Sequence, residues 1–211
     1  MHGQVAAVSQ DTKSVPAAID GIIPAAGRSS RMGAPKPTLD AAGAPFIERA
    51  VAALREGGCR DMIAVLSPDD ATAASAASRA GARVLMNTAA ESEQIDSLRL
   101  ALRNLLPGAL GAVVLPVDHP LATSATVRAL IDAWSSSGAP IARASYHGVA
   151  GHPTLFSATI FEELLRGELP EGARSIVAAH ASELLDVPVE DPGVTTDVDT
   201  PDDYRRAFGA P

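Results

Sequence analysis

The sequence has few aromatic residues, a single cysteine and no long apolar run. Phe, Trp and Tyr together make up 3% of its 211 residues, too few for an aromatic-rich β-sandwich or for a surface on which nucleic-acid bases stack. Cys59 cannot form an intramolecular disulfide because it has no second cysteine to pair with, so we expect a cytoplasmic protein. No apolar run approaches the roughly 18 residues of a transmembrane helix, so we expect no membrane partner.

The sequence also lacks a cluster of basic residues. Its net charge is −8, whereas a protein that neutralises many nucleic-acid phosphates needs a basic face, so we expect no nucleic-acid partner. The first 17 residues have mixed polarity and no apolar periodicity, which argues against a secretory signal and predicts a disordered extension. Residues 18–211 are long enough for one domain with a full core and too short for two ordinary ones.

Apolar segments with the periods of strands and helices alternate along the chain. Short β-branched or apolar runs precede Pro24, cover Met62–Leu66 and cover Arg83–Met86. Helical patterns lie between them and continue with the stripe that begins at Ile95. Gly111–Val117 is the most apolar run and suits a central strand. This alternation predicts an α/β fold with three layers and a doubly wound, mostly parallel sheet.

A different pattern follows the strand predicted over Ile141–Ser145. Residues 146–156 contain Gly148 and Gly151 between β-prone residues, as is typical of a β-hairpin with a glycine turn. We expect a small hairpin beside the main sheet.

The loop after the first strand has the composition of a phosphate-binding loop. Ala25, Ala26 and Gly27 have almost no side chain, so that an anion can approach the backbone N–H groups, and Arg31 and Lys36 supply positive charge. The spacing matches neither the P-loop of NTPases nor the Gly-x-Gly-x-x-Gly loop of dinucleotide-binding folds. A solvated glycine turn with exposed cations is the alternative interpretation.

Two aspartates are candidates for a functional site. Asp118 ends the most apolar strand and is followed by Pro120, and the carboxyl ends of parallel strands are where open α/β sheets bind ligands. A cap for the helix that begins near Thr123 is the alternative role of Asp118. Asp199 precedes Thr200 and Pro201, which suit the start of the last helix but leave Asp199 itself unexplained.

Several motifs resemble those of the MobA/MocA-like NTP transferase family of nucleotidyltransferases related to molybdenum-cofactor enzymes. The matching segments are Ala25-Ala26-Gly27, Arg31-Met32-Gly33 with Lys36, Ser97-Leu98, Asp118-His119-Pro120, Gly151-His152-Pro153, Gly172-Ala173-Arg174 and Asp197-Val198-Asp199-Thr200-Pro201. They extend over nearly the whole chain, and the resemblance implies a Rossmann-like fold of the nucleotidyltransferase, nucleotide-diphospho-sugar transferase type. The Ala-Ala-Gly loop is most similar to the cytidylyltransferase branch, because the guanylyltransferase branch usually has Ala-Gly-Gly there.

The resemblance implies a role for each matching residue. The loop from Ala25 to Gly27 with Ser29, Arg31 and Lys36 would hold the triphosphate of an NTP. Ser97 would lie near the ribose and base, although a serine at a helix start also makes local hydrogen bonds. Asp118 and Asp199 would bind Mg²⁺. His152, with a pKa near neutrality, and Arg174 would meet the acceptor, the alternative for His152 being an exposed hairpin residue.

The resemblance also implies the reaction. We expect a Mg²⁺-dependent nucleotidyltransferase in which Arg31, Lys36 and Asp118 are catalytic. CTP would be the nucleotide and a molybdopterin-type cofactor the phosphorylated acceptor, with release of pyrophosphate. A molybdoenzyme would receive the modified cofactor. GTP, or a sugar or alcohol phosphate, is the alternative. A non-catalytic nucleotide-binding maturation factor is an alternative of a different class, because Glu93 stands where the family has glycine.

Overall fold

The computed structural model describes residues 18–27, 31–89 and 93–209. The expected disordered extension over residues 1–17 and the predicted site residue Ser29 lie outside the described residues. The described residues form seven strands, which are β1 (Ile19–Pro24), β2 (Met62–Leu66), β3 (Arg83–Met86), β4 (Gly111–Val114), β5 (Ile141–Tyr146), β6 (Val149–Ser157) and β7 (Leu184–Pro188). The helices of the described residues are α1 (Phe46–Gly57), α2 (Ala71–Arg79), α3 (Gln94–Leu102), α4 (Ser124–Ser137), α5 (Phe161–Leu165), α6 (Ala173–Ala179) and α7 (Pro201–Phe208), with short 3-10 turns between some of them.

All seven strands form one sheet in the order β3-β2-β1-β4-β6-β5-β7. β6 runs antiparallel to both of its neighbours, β4 and β5, and the other neighbouring strands are parallel. The predicted mostly parallel sheet is confirmed. The predicted hairpin is β5 and β6, but it does not lie beside the sheet: β6 pairs with central strand β4, so the hairpin supplies interior strands.

Helices cover both faces of the sheet, which confirms the three layers. On one face, α1, α2 and α4 pack on Ile19, Ile23 and Val113, with Tyr204 of α7 at the margin of this cluster. On the other face, α3, α5 and α6 pack on Ile22 and other strand residues. The two faces come from the alternation of side chains along each strand, so that neighbouring Ile22 and Ile23 belong to different clusters. No helix of the described residues is long and apolar enough to span a membrane.

The fourth apolar run ends as a strand earlier than expected. β4 stops at Val114, because Pro116 has no N–H to donate to a strand ladder. The N–H groups of Leu115 and Val117 nevertheless donate to the carbonyls of Ile22 and Pro24, at 2.9 and 3.3 Å. The chain therefore stays beside β1 as far as Asp118.

The apolar stripe that begins at Ile95 predicts a helix as far as Leu106, but the helix ends earlier. α3 stops at Leu102, and the N–H of Leu106 instead donates to the buried carboxylate of Asp20, at 3.0 Å. The same carboxylate receives two hydrogen bonds from Arg60, at 3.0 and 3.1 Å. Asp20 thus anchors the chain between α3 and β4 at the amino-terminal end of β1, opposite the end that leads into Ala25, Ala26 and Gly27.

Candidate functional site

A cavity of about 370 Å³ opens at the carboxyl ends of β1 and β4, which are neighbours in the sheet. The predicted residues that line it are Ala25, Ala26, Gly27, Arg31, Lys36, Ser97, Asp118 and Asp199, and Pro24, Glu93 and Gln94 line it as well. The fold thus brings together residues that are up to about 170 positions apart in the sequence.

Four charged side chains of this cavity contact one another. Arg31 Nη2 lies 2.7 Å from Asp199 Oδ2, and Lys36 Nζ donates to Asp199 Oδ1. The same Lys36 Nζ is 3.8 Å from Asp118 Oδ2. Because Lys36 contacts both carboxylates, the two aspartates converge on one point of the cavity.

The exposure of the two cations differs. The Lys36 side chain is 12% exposed and the Arg31 side chain 71% exposed, so that Lys36 is the buried and more firmly held charge of the pair. The hydrogen bond from Lys36, with the nearby charges of Lys36 and Arg31, lowers the pKa of Asp199 below its ordinary value in spite of partial burial. Asp199 is therefore ionised at neutral pH.

The backbone fixes the positions of the two aspartates relative to each other. The N–H of Val198 donates to the carbonyl of Asp118 at 2.8 Å, which joins the segment before α7 to the end of the β4 segment. Thr200 then caps α7 as predicted, since its hydroxyl accepts from the Asp203 N–H at 3.2 Å. The N-cap of α4 is Thr123, which leaves Asp118 without the capping role that was its alternative.

The donor set fits a hard divalent cation. Among the residues that the structure describes, the buried Asp118 Oδ1 has no hydrogen-bond partner, which suits an oxygen that binds a metal ion. No group of three or more His, Cys, Asp and Glu residues that could hold a metal occurs in the described ranges. Mg²⁺ commonly takes one or two carboxylates and completes its shell with water and substrate phosphates, so that two aspartates suit it.

Ser97 is held by a residue that the sequence reasoning missed. The buried Asn87 donates from Nδ2 to Ser97 Oγ at 3.1 Å, and its Oδ1 accepts the N–H of Ala89 at 3.2 Å. The second bond fixes the amide orientation, because an N–H must face the amide oxygen. Asn87 directly follows β3, and a polar residue at that position was the available signal.

A second cavity of about 1060 Å³ lies beside the first and shares Pro24, Glu93 and Gln94 with it. The predicted residues His152 and Arg174 line it, together with His119. The two imidazole rings meet edge to face, with centroids 4.8 Å apart. The fold therefore separates the predicted site residues into two adjoining groups.

His152 differs from expectation in its protonation. Burial, with the nearby His119 and the charge of Arg174, lowers its pKa from 6.5 to about 3, against a smaller opposing effect of a hydrogen bond to the Val114 backbone. The predicted pKa near neutrality is therefore wrong, because the sequence places His152 at a hairpin, whereas in the folded chain β6 half-buries its ring against that of His119. His152 is neutral at physiological pH.

Asp191 is a second residue that the sequence reasoning missed. Its buried carboxylate accepts hydrogen bonds from the N–H of Thr123 at 3.0 Å, from the hydroxyls of Thr123 at 2.8 Å and Thr126 at 2.5 Å, and from the N–H of Gly193 at 2.9 Å. Against the cost of burial, these bonds lower the pKa of Asp191. The carboxylate thus ties the segment that leads to Asp199 to the start of α4.

Two glycines allow this segment to pack closely. A Cβ on Gly193 would lie 2.4 Å from the Leu121 backbone, and one on Gly151 would lie 2.0 Å from the Val194 carbonyl oxygen. No side chain fits at such distances. The segment therefore runs in direct backbone contact with β6 and with the turn before α4.

Comparisons with known proteins agree with this geometry. Residues 21–184 match the family model of the MobA-like NTP transferase domain. Comparison with curated proteins gave no match. The chain is similar to the crystal structure of Rv0371c from Mycobacterium tuberculosis H37Rv, with 32% identity, 93% of this chain and 100% of that chain covered, and a TM-score of 0.81.

A manganese complex of the same mycobacterial protein is also similar, with 30% identity, 92% and 100% coverage and a TM-score of 0.76. A nucleotidyl transferase from Methanothermobacter thermautotrophicus is 21% identical, with 90% and 95% coverage and a TM-score of 0.76. A CMP:2-keto-3-deoxy-manno-octonic acid synthetase complexed with CTP shares the fold at 17% identity, with 90% and 96% coverage and a TM-score of 0.68.

Proposed function

The chain belongs to the family of MobA-like NTP transferase domains and is a nucleotidyltransferase, and we propose that it transfers the cytidylyl group of CTP to a phosphorylated acceptor of the molybdopterin type. The acceptor phosphate attacks the α-phosphorus of CTP, and the bond to the β-phosphate oxygen breaks with release of pyrophosphate. A molybdoenzyme would then receive the modified cofactor.

The observation that carries the proposal is the group of four charges in the smaller cavity. Arg31 and Lys36 pair with Asp199, and in a nucleotide complex the triphosphate oxygens take the place of the carboxylate as partners of both cations. Arg31 can grip two phosphate oxygens in a fork, whereas Lys36 acts as a point charge. The positive charge is therefore in place before the nucleotide arrives.

Asp118 and Asp199 would hold Mg²⁺, which when bound neutralises the charge that grows on the leaving pyrophosphate. The unpartnered Oδ1 of Asp118 supports this assignment. Ala25, Ala26 and Gly27 let the phosphates approach the backbone N–H groups. The same role for Ser29 stays a prediction from the resemblance.

The larger cavity suits the acceptor. Arg174 supplies a cation for the acceptor phosphate, and the neutral His152 can donate one hydrogen bond from its ring. No general base is needed, because the attacking phosphate is already ionised. Pockets for drug-sized ligands occupy about 300–1,000 Å³, so a cavity of about 1060 Å³ favours a cofactor-sized acceptor over a small sugar or alcohol phosphate.

The choice of CTP depends on the floor of the smaller cavity. The Ala26 methyl group narrows the floor where the guanylyltransferase branch has glycine, which favours a pyrimidine over a purine. A structural neighbour complexed with CTP shares the fold and is consistent with this choice. GTP is the alternative nucleotide.

The test is pyrophosphate release from a panel of NTPs with molybdopterin and with smaller phosphorylated acceptors. We expect release with CTP and molybdopterin in the presence of Mg²⁺, and near-complete loss in Asp118→Asn, whose amide keeps the shape but removes the charge. Asp69→Asn, an exposed aspartate before α2, is the matched control and should retain full activity.

Two outcomes would contradict the proposal. Full activity of Asp118→Asn would remove the metal site. Tight NTP binding without pyrophosphate release from any acceptor would instead support a nucleotide-binding maturation factor.

A further inference from the structure

Glu93 stands at the boundary of the two cavities and lines both of them. It directly precedes α3, and its backbone N–H donates to Asp96 Oδ2 at 3.0 Å, which fixes the start of the helix. The Glu93 side chain is exposed. Within the part of the chain that the structure describes, none of the salt bridges includes Glu93. Its carboxylate takes part in a capping box with the backbone of Asp96 at the start of α3. Because a carboxylate has about four acceptor positions, it can also accept a hydrogen bond from a ligand in the cavities.

The charges of the smaller cavity are arranged on two sides. Lys36 and Asp199 come from segments beside Leu39 and Tyr204, which pack on one face of the sheet. Glu93 precedes α3, whose Ile95 packs on the opposite face. A triphosphate is attracted to the cations and repelled by the carboxylate of Glu93. A bound nucleotide therefore turns its phosphates toward Lys36 and its nucleoside toward Glu93.

Ser97, one turn along the same helix, can donate a hydrogen bond, whereas the Glu93 carboxylate can only accept one. Its buried hydroxyl oxygen accepts from Asn87 Nδ2 at 3.1 Å. The hydroxyl proton can therefore be donated to a ligand, since a hydroxyl both accepts and donates. The nucleoside side of the cavity thus combines an acceptor at Glu93 with a donor at Ser97.

This combination fits cytosine and not uracil. Cytosine carries an amino group at C4 that donates to a carboxylate, and a carbonyl at C2 that accepts from a hydroxyl. Uracil has the same carbonyl at C2, but it has a second carbonyl at C4, and two oxygens facing each other cannot form a hydrogen bond. Guanine also presents N–H donors, so that a carboxylate alone does not separate guanine from cytosine.

We propose that Glu93 selects the nucleotide by accepting a hydrogen bond from the exocyclic amino group of the base, so that CTP binds and UTP is rejected. This inference rests on the proposed function and specifies its nucleotide site further. Ser97 donates to the C2 carbonyl or to the ribose, features that CTP and UTP share, and it therefore contributes to affinity without discriminating between them.

The test measures dissociation constants of CTP and UTP by calorimetry, with the full chain, Mg²⁺ and no acceptor. We expect about tenfold tighter binding of CTP, the low end of the discrimination that hydrogen bonds to base edges provide, because Glu93 is exposed. In Glu93→Gln the preference should fall to about twofold or less, since the amide can donate to the C4 carbonyl of uracil.

Two variants serve as controls. Glu56→Gln changes an exposed glutamate of α1 outside both cavities and should keep the preference of the unmodified chain. Ser97→Ala should weaken CTP and UTP by the same factor and leave their ratio unchanged.

Equal affinities of the unmodified chain for CTP and UTP, or an unchanged ratio in Glu93→Gln, would overturn this inference while the proposed function stands. Failure of every NTP to bind would overturn the proposed function and this inference together.

Discussion

Replacing Asp199 by Asn should change nucleotide binding in opposite directions with and without metal. Asp199 engages both cations of the cavity, Arg31 at 2.7 Å and Lys36 through a hydrogen bond. A triphosphate that arrives without metal must break these pairs and also meets the negative charge of the carboxylate. Asp199→Asn removes both obstacles, and it removes a metal ligand charge at the same time.

The size of the effect follows from exposure. A hydrogen bond to a charged group contributes about 1.5 to 3 kcal/mol when it is shielded from water, but an exposed ion pair contributes at most about 1 kcal/mol. Arg31 is 71% exposed and Lys36 is 12% exposed, so most of the change comes from Lys36. The asparagine oxygen still accepts a weaker bond. We therefore expect a net gain of about 1 kcal/mol, or roughly fivefold in metal-free affinity.

The assay is calorimetric titration of CTP in EDTA and again in Mg²⁺. The unmodified chain should bind CTP more tightly in Mg²⁺ than in EDTA. In EDTA, Asp199→Asn should bind CTP about fivefold more tightly than the unmodified chain does, and it should gain little affinity from Mg²⁺. Asp202→Asn, an exposed aspartate of α7 that pairs with Arg205, is the control and should behave like the unmodified chain. Weaker or equal metal-free binding in Asp199→Asn would refute the idea that the ion pairs must be exchanged.

Three further predictions concern single residues. His152 has a pKa of about 3, so its ring NMR signals should not titrate between pH 8 and 4.5, and a titration midpoint near 6.5 would contradict this. The contribution of the neutral His152 ring to the free energy of unfolding should fall as the pH drops from about 6.5 toward 3. Gly27→Ala should leave thermal unfolding unchanged, since an added Cβ meets no described atom within 4 Å, yet weaken CTP binding measured by calorimetry. Asp191→Asn should lower the free energy of unfolding, measured in urea at pH 7, by about 1 to 2 kcal/mol. Because the pKa of Asp191 is lowered, the difference in unfolding free energy between the two chains should vanish as the pH falls below the ordinary pKa range of carboxyl groups.

The sheet could be predicted from the sequence except for the order of its last strands. The alternation of apolar runs predicts parallel pairing of β1, β2 and β3, because helices separate them. A hairpin signal predicts that β5 and β6 pair with each other. It does not reveal that β6 pairs with β4, since that contact joins Gly111 to Ser157 across a helix and a strand, and nothing local encodes it.

The candidate site could be anticipated in its charged residues and not in the residues that hold them. The sequence draws attention to Asp118 because it ends the most apolar run, and to Asp199 because the start of the last helix leaves it without a structural role. Asn87 and Asp191 are polar residues in polar loops, and only the folded chain shows that they are buried. For His152, the neighbouring glycine and proline indicate a turn, whereas its burial depends on the strand that β6 joins.

The backbone bond between Val198 and Asp118 has a consequence for the order in which the chain is synthesised. Arg31 and Lys36 leave the ribosome first, Asp118 much later and Asp199 later still. Asp199 lies in the segment that Asp191 and the Val198–Asp118 bond hold against α4 and β4. A nascent chain that has not yet released this segment has the cations without one of the paired carboxylates. If pyrophosphate release depends on both aspartates, its onset therefore indicates that translation has passed residue 199 and that the segment with Asp199 has packed against α4 and β4.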